Sequence, residues 1–450
     1  SWCSLPGDIA RFQRFRRFVF RHSSVTIMQS PFSLSQSWRW LGAGYILLTV
    51  LQAGLLPPLL FADCLAPLLA AAVLWQWRRA AEIVRESHYT LPAFLTLALA
   101  TSIYHICRGS GWVYDFAVFA YMALLYLAFR LLPLGEKLQL RLGWAVMLLL
   151  LAGFIAGALS FCFPPRQGLG LFYLDPHSGA RGLSFLAVRY QFLFPNPNLL
   201  GSFYILPVAL LQPYWRRLCR SCRTPWQWLL LFLGAGLLLL PLFATASKHI
   251  LMTLALLAGT LVEAWPEKRR LLLPPAIVAL LLLALVSLLT VLWPVFPLSR
   301  QFPWINVRHQ GNYTIHQEIY LKMLSAGKLS WLTGLGATAA RQRYPDYADR
   351  AKITRIMDEY HSPHRVEPYC TYMDPHNEYL NLTALFGLPA AVCCFAFWIS
   401  QKKKARWGLS LFLLAMLFCC LWDDLLSKRW LWVALAVMVL NACPENKSDA

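Results

Sequence analysis

Apolar runs long enough to cross a bilayer recur along nearly the whole chain, separated by short polar breaks. The leucine-rich stretch 271–293 is the plainest of them. Hydrocarbon offers no partner to a backbone N–H or C=O, so such runs must close their hydrogen bonds internally, as helices. At roughly 20 residues per crossing, the pattern predicts an all-α integral membrane fold with about twelve transmembrane helices. They fall near 41–60, 64–77, 91–107, 112–132, 142–163, 193–212, 227–245, 249–264, 271–293, 379–399, 407–421 and 429–442.

The polar breaks sort into two kinds. One kind is short and basic: Arg78, Arg79 and Arg85; Arg130, Lys137 and Arg141; Arg216, Arg217, Arg220 and Arg223; Lys268, Arg269 and Arg270; Lys402 to Lys404 with Arg406. The other is small or weakly charged: Asp63, Arg108, Ser247-Lys248, Asp423-Asp424. The two kinds alternate, as twelve crossings require. Lys and Arg concentrate in short cytoplasmic loops, so both termini are expected in the cytoplasm.

Two breaks on the non-cytoplasmic side are long. One runs over 164–192 and the other over 294–378. A loop as long as the second is usually functional or disordered. Its segments Ile315–Ala326 and Asp346–Tyr360 have helical composition, so it reads as a small folded cap. The expected organisation is a basic cytoplasmic segment 1–40, spans one to nine over 41–293, the large loop 294–378, and spans ten to twelve with a cytoplasmic tail over 379–450. The first 27 residues carry five arginines and no apolar core of signal-peptide length. Either Met28 is the natural start, or this stretch is a basic cytoplasmic tail.

Composition agrees with the pattern. The 450 residues are 58% hydrophobic and 14% charged, against roughly 25% charged in soluble proteins, and the mean hydropathy is +0.49. A single soluble domain is excluded. The net charge of +20 would suggest nucleic acid in a soluble chain; here it is mostly the topology signal. Most of the twelve cysteines lie in spans, where Cys behaves as a small hydrophobe. Cys219 and Cys222 form a lone CxxC with no second pair to complete a zinc site. Cys370, alone in the large loop, could pair with a cysteine at a span end.

Three places carry groups suited to chemistry. In 189–201, RYQFLFPNPNLLG, two prolines and two asparagines break the start of a span. Broken backbone at that depth survives only where it is buried in protein or lines a wet cavity. Asn196 and Asn198 either satisfy it or bind a polar ligand. Arg189, with Arg181 beyond it, is an anion-binding candidate or an interfacial cation reaching for headgroups. The second place is Ser247-Lys248, a cation on the outer face where topology asks for none. The third is Asp374 to Leu380, DPHNEYL, where the large loop returns to the membrane. A His there can titrate near neutrality and serve as general base or proton carrier, or it is an interfacial His bonded to a headgroup or carbonyl.

These three motifs, in order and with a long outer loop before the last, resemble the O-antigen ligase and polymerase superfamily. The match lies in Asn196-Pro197-Asn198-Leu199-Leu200-Gly201, Ser247-Lys248 and His376-Asn377-Glu378-Tyr379-Leu380. The stretch 317–336 with its Gly334-Leu335-Gly336, and Trp422-Asp423-Asp424-Leu425-Leu426, look like further family segments. The resemblance implies a glycosyltransferase of the C-type membrane architecture, acting at the periplasmic face of the bacterial inner membrane. It implies a glycan on undecaprenyl pyrophosphate as donor. In ligases the acceptor is a sugar hydroxyl of the lipid A core. Transfer is expected to be inverting and metal-independent. By position, His376 is the expected acceptor-activating residue. Arg189, Arg181, Lys248, Arg308, His316, Asn196, Asn198 and Asn377 are expected to hold the pyrophosphate or glycan. Two positions depart from the family pattern. Lys248 stands where an arginine is expected and loses its bidentate fork. His316 stands where the loop helix carries another, with Arg308 upstream as a replacement. A polymerase, a protein O-glycosyltransferase using the same donor, and a lipid-linked glycan transporter are the alternatives. No nucleotide-binding glycine loop, paired metal ligands or long acidic motif is present, so no cofactor, nucleotide or metal is expected.

Overall fold

A computed structural model describes residues 34–51, 54–56, 59–111, 113–160, 171–174, 188–245, 247–265, 267, 269–292, 311–359, 366–404 and 407–442. The basic stretch with Met28, the smaller loop's Arg181 and the larger loop's Arg308 lie outside these residues. Among the described residues the fold is helical apart from two short antiparallel hairpins, β1 (Gly54–Leu56) with β2 (Leu59–Leu60) and β3 (Phe172–Leu174) with β4 (Val188–Tyr190).

The first half holds α1 (Leu34–Leu51), α2 (Ala66–Trp75), α3 (Trp77–Glu86), α4 (Thr90–Cys107), α5 (Val113–Leu131) and α6 (Glu136–Ser160). It continues through α7 (Pro197–Phe203), α8 (Ile205–Ser221), α9 (Pro225–Ala244), α10 (Ile250–Ala264) and α11 (Arg269–Leu292). Four of these, α4, α5, α6 and α9, are long and apolar enough to cross a membrane. Of the other apolar helices α11 runs 24 residues, while α2 and α10 are shorter. The first expected span, 41–60, ends early: α1 stops at Leu51 and the chain turns into the β1–β2 hairpin. Pro57 and Pro58 lie between its strands, and neither has an N–H to continue a helix.

Burial separates lipid-facing from central helices. On α9, Leu229, Leu230, Phe232, Leu233 and Leu237 are all exposed, as a helix facing hydrocarbon should be. By contrast α20 (Arg429–Ala442) buries apolar residues all round, Trp430 to Val439 without a break. A helix apolar on every side belongs in a core. Here α20 packs against α5 and α8, and Trp432 stacks on Phe397 at 5.5 Å between centroids.

The described residues of 311–359 and 366–371 hold five helices: α12 (Gly311–Ala326), α13 (Ser330–Thr333), α14 (Ala337–Tyr347), α15 (Arg350–Glu359) and α16 (Val366–Thr371). They enclose a second apolar core around Tyr320, Met323, Tyr344, Ile353 and Met357. The chain then enters α17 (Glu378–Phe386), α18 (Leu388–Ser400) and α19 (Trp407–Cys419) before α20. The span expected over 379–399 is therefore broken. At Gly387 φ is +84°, and a Cβ there would run into the Leu332 carbonyl, so only glycine fits. Leu335 and Gly336 donate their N–H groups to the Ala384 carbonyl at 2.7 and 3.1 Å, tying the outer helices to α17. The described cysteines are all free, Cys219, Cys222 and Cys370 among them.

Candidate functional site

The break before α7 has a local cause. Asn196 is extended and its side chain accepts from Leu199 N at 3.0 Å, an N-cap, with Pro197 in the first helical position. Gly201 lets α7 press against the turn before α10. A Cβ at Gly201 would lie 2.5 Å from Ser247 Cβ. Arg189, on β4, braces the same joint. Its Nε donates to the Thr245 carbonyl at 2.8 Å and its terminal nitrogen to Asn198 Oδ1 at 2.7 Å. The first two sequence motifs thus meet in space. Asn196, at the cap, serves backbone; Asn198 and Arg189 hold one another.

The residue after Lys248 completes the joint. His249 is 4% exposed. Its Nδ1 lies 3.0 Å from the Asn198 carbonyl and 2.9 Å from Ser247 Oγ. A carbonyl can only accept, so Nδ1 carries the hydrogen. Its Nε2 lies 3.1 Å from Asp423 Oδ2. One imidazole therefore connects the α7 motif, the turn and the loop between α19 and α20. Lys248 sits beside it with its ammonium 5.5 Å from the centre of the Trp422 ring, within cation–π range. The space these side chains enclose is only ≈ 10 Å³, room for about one water and too little for a pyrophosphate.

The third motif lies against the same loop. Glu378 N donates to the Cys420 carbonyl at 2.8 Å, and Asn377 Nδ2 to the Leu421 carbonyl at 3.2 Å. Asn377 is also the N-cap of α17, accepting from Leu380 N at 3.0 Å. Leu426 N donates back to Glu378 Oε2 at 3.0 Å. Beside this double clasp His376 is held with φ +45°, a costly conformation for a side chain with a Cβ. Such strain is tolerated where surrounding bonds over-determine it.

The electrostatics of the clasp are unusual. Burial pushes the His376 ring below its ordinary pKa; Asp423 and Asp374 oppose this, while Lys248 and Lys428 add to it. The ring therefore stays neutral, and able to take a proton, further into the acid range. Glu378 is fully buried, and burial together with Asp424 pushes its carboxyl up to about 8. Burial likewise lifts Asp424 to about 6 although Lys428 donates to it at 2.8 Å. Burial also penalises the charged form of Asp423, but His249 and Lys428 outweigh it and its pKa falls below the ordinary value.

His376, Asp423 and Asp424 each offer an atom within 4.8 Å of the others, close enough to hold a metal ion. Lys428 already pairs with Asp424 and His249 contacts Asp423, so an incoming dication would have to compete with them.

His316 lies on α12, under His376, with ring centroids 6.2 Å apart. It is fully buried and its Nδ1 is 2.6 Å from the Tyr344 hydroxyl. Burial, helped by the neighbouring His376, depresses its pKa to about 3. A neutral ring offers a hydrogen bond to a phosphate, not a charge. Its Nε2 has no hydrogen-bond partner among the described residues.

The structure brings Arg189, Asn198, Lys248, His316, Asn377 and His376 into one neighbourhood, with Asn196 at its edge. Three participants receive no role from the chain alone, although Glu378 and Asp423 lie in segments that carry the resemblance. His249 follows a cation that draws the eye first, Asp423 lies more than 40 residues after His376, and Glu378 reads as an ordinary first-turn acid. The signal for His249 was its place one residue after Ser247-Lys248.

Residues 233–395 match the family model described as O-antigen ligase. Nothing among curated proteins matches the chain.

Proposed function

The O-antigen ligase domain at residues 233–395 supports membership of the O-antigen ligase superfamily, and on that premise we propose that this membrane protein transfers an O-antigen-type glycan from undecaprenyl pyrophosphate to a sugar hydroxyl of the lipid A core. The reaction takes place at the periplasmic face of the inner membrane, with about twelve crossings and both termini cytoplasmic. The observation that carries this reading is His376, held by the clasp of 376–378 on 420–426 beside Asp423 and Lys248.

In the proposed step the acceptor hydroxyl oxygen attacks the anomeric carbon of the donor. Its proton passes to the neutral His376 ring as the bond to the anomeric carbon forms. The anomeric C–O bond to pyrophosphate breaks, and its electron pair leaves with the phosphate oxygen. Attack from the face opposite the leaving group inverts the configuration. Asp423 stabilises the imidazolium, and His249 holds Asp423 in place. Lys248 is the cation nearest the pocket where negative charge develops on the leaving group. The closed pocket implies that Lys248 and Trp422 move apart to admit the donor. Arg189 supports this pocket through Asn198 and Thr245 and contributes positive potential from behind it.

A polymerase would use the same donor and the same His376 with a lipid-linked acceptor, and a protein O-glycosyltransferase would use a hydroxyl side chain. Purified protein offered undecaprenyl-pyrophosphate glycan with lipid A-core separates these readings. Product on the core supports the ligase; product only on a second lipid-linked glycan, or only on protein, contradicts it.

A further inference from the structure

A second polar cleft lies away from His376, between the end of α4 and the outer helices. It measures ≈ 470 Å³ and is lined by Arg108, Lys328 and Arg343, with His105, Ser110 and Ser330 among its polar walls. No Asp or Glu lines it among the described residues. Arg108 stacks over Tyr104 at 4.8 Å, and Arg343 donates to the Tyr347 hydroxyl at 3.1 Å. Neither, nor Lys328, enters an ion pair among the described residues. Three cations with no counter-ion repel one another, and that arrangement favours an anion between them.

The walls are fixed rather than loose. His105 Nε2 is 2.7 Å from the Thr333 carbonyl, and Ala339 N donates to the Ser110 carbonyl at 3.1 Å. Gly336, with φ +75°, sits so close to Ser110 that a Cβ would come within 2.5 Å of its carbonyl oxygen. The α4 end and the outer helices therefore meet in one defined geometry.

Topology supplies no other reason for these charges. In the proposed orientation the cleft faces the periplasm, where the rule that places Lys and Arg in cytoplasmic loops asks for none. The volume is in the range of pockets that hold a small ligand. It also stands in a fixed relation to the proposed chemistry. The Ala384 carbonyl that holds the floor of the cleft lies on α17, and His376 stands two residues before that helix begins. The six helical steps from Glu378 to Ala384 rise about 9 Å, so the cleft and His376 stand within the span of a short oligosaccharide.

We propose that this cleft binds a phosphate-bearing sugar of the acceptor glycan and so presents a neighbouring hydroxyl to His376. Guanidinium forks suit phosphate oxygens, and the hydroxyls and backbone of Ser110, Ser330 and Gly334 suit a sugar. The assignment rests on the ligase reading for the identity of the acceptor, but the cleft's preference for phosphate can be measured without it.

The test uses the full chain in nanodiscs of zwitterionic phospholipid. Isothermal titration calorimetry compares a hexose phosphate with the same hexose, for wild type, for a variant combining Arg108→Gln, Lys328→Gln and Arg343→Gln, and for His376→Ala. Wild type and His376→Ala should prefer the phosphate by about tenfold or more, and the triple variant should lose that preference. In transfer assays the triple variant should raise KM for a phosphorylated core acceptor about tenfold with kcat within about twofold, and leave KM for the phosphatase-treated acceptor unchanged. Equal binding of hexose and hexose phosphate by wild type overturns the proposal, as does a preference that survives in the triple variant. Loss of the preference in nanodiscs of anionic phospholipid overturns the sugar assignment and makes the cleft a lipid-headgroup site. If wild type transfers nothing to any core acceptor, the ligase reading fails while the calorimetry still decides the phosphate preference.

Discussion

Replacing His249 by alanine removes one ring and three contacts at once. The Asn198 carbonyl loses its partner at 3.0 Å, Ser247 Oγ its neighbour at 2.9 Å, and Asp423 its partner at 3.1 Å. An unsatisfied buried carbonyl costs about 1–3 kcal/mol. Asp423 loses a hydrogen-bond partner, but its side chain is 21% exposed and Lys428 stays nearby, so this contact adds about 1–2 kcal/mol. We expect a net loss of about 3 kcal/mol, seen as a fall of roughly 3 °C in the melting temperature of the detergent-solubilised protein. Transfer activity should fall with it, because Asp423 is no longer held beside His376. The decisive assay is a double-mutant cycle with Asp423→Asn. A coupling energy of about 1 kcal/mol or more supports the connection; effects that add within about 0.5 kcal/mol would refute it.

Gly201→Ala forces a methyl to within 2.5 Å of Ser247 Cβ and should cost about 1–3 kcal/mol in thermal unfolding; Ser247→Gly in the same chain should recover most of it. The folded-state pKa of His316 lies below its ordinary 6.5, at about 3, so the folded state binds fewer protons. That stability is complete above pH 6.5 and is lost as pH falls toward 3, by up to about 1.4 kcal/mol per unit. His316→Phe should flatten the slope in melts from pH 7 to 4.5. Lys248→Arg should retain activity in transfer assays, and Lys248→Ala should lose about ten- to a hundredfold. Excess chelator should leave transfer unchanged; loss of activity restored by a divalent cation would assign His376, Asp423 and Asp424 to a metal.

The helices were legible because hydrophobic run length answers directly to the bilayer. Their breaks were less so. The end of α1 at Leu51 and the break at Gly387 both fall inside expected spans, because apolar residues continue past both. Within the site, chemistry-bearing residues beside one another in the chain could be read: Asn196 to Gly201, Ser247-Lys248, His376-Asn377. What could not be read was their use. Arg189 looks like a phosphate ligand in a string of residues, but its guanidinium braces Thr245 and Asn198. His316 looks like a weakened cation, but burial under Tyr344 makes it neutral. His249 and Asp423 are 174 residues apart, and only packing brings them together.

The central claim is that His376 is the acceptor-activating residue of a lipid-linked glycan transferase. The direct measurement is complementation of a strain deleted for this protein with wild type or His376→Ala at matched expression, with lipopolysaccharide resolved on a gel. The account predicts that the deletion loses the polymer ladder while lipid-linked polymer accumulates, and that wild type alone restores it. A ladder restored by His376→Ala, from protein present at wild-type level, would contradict it.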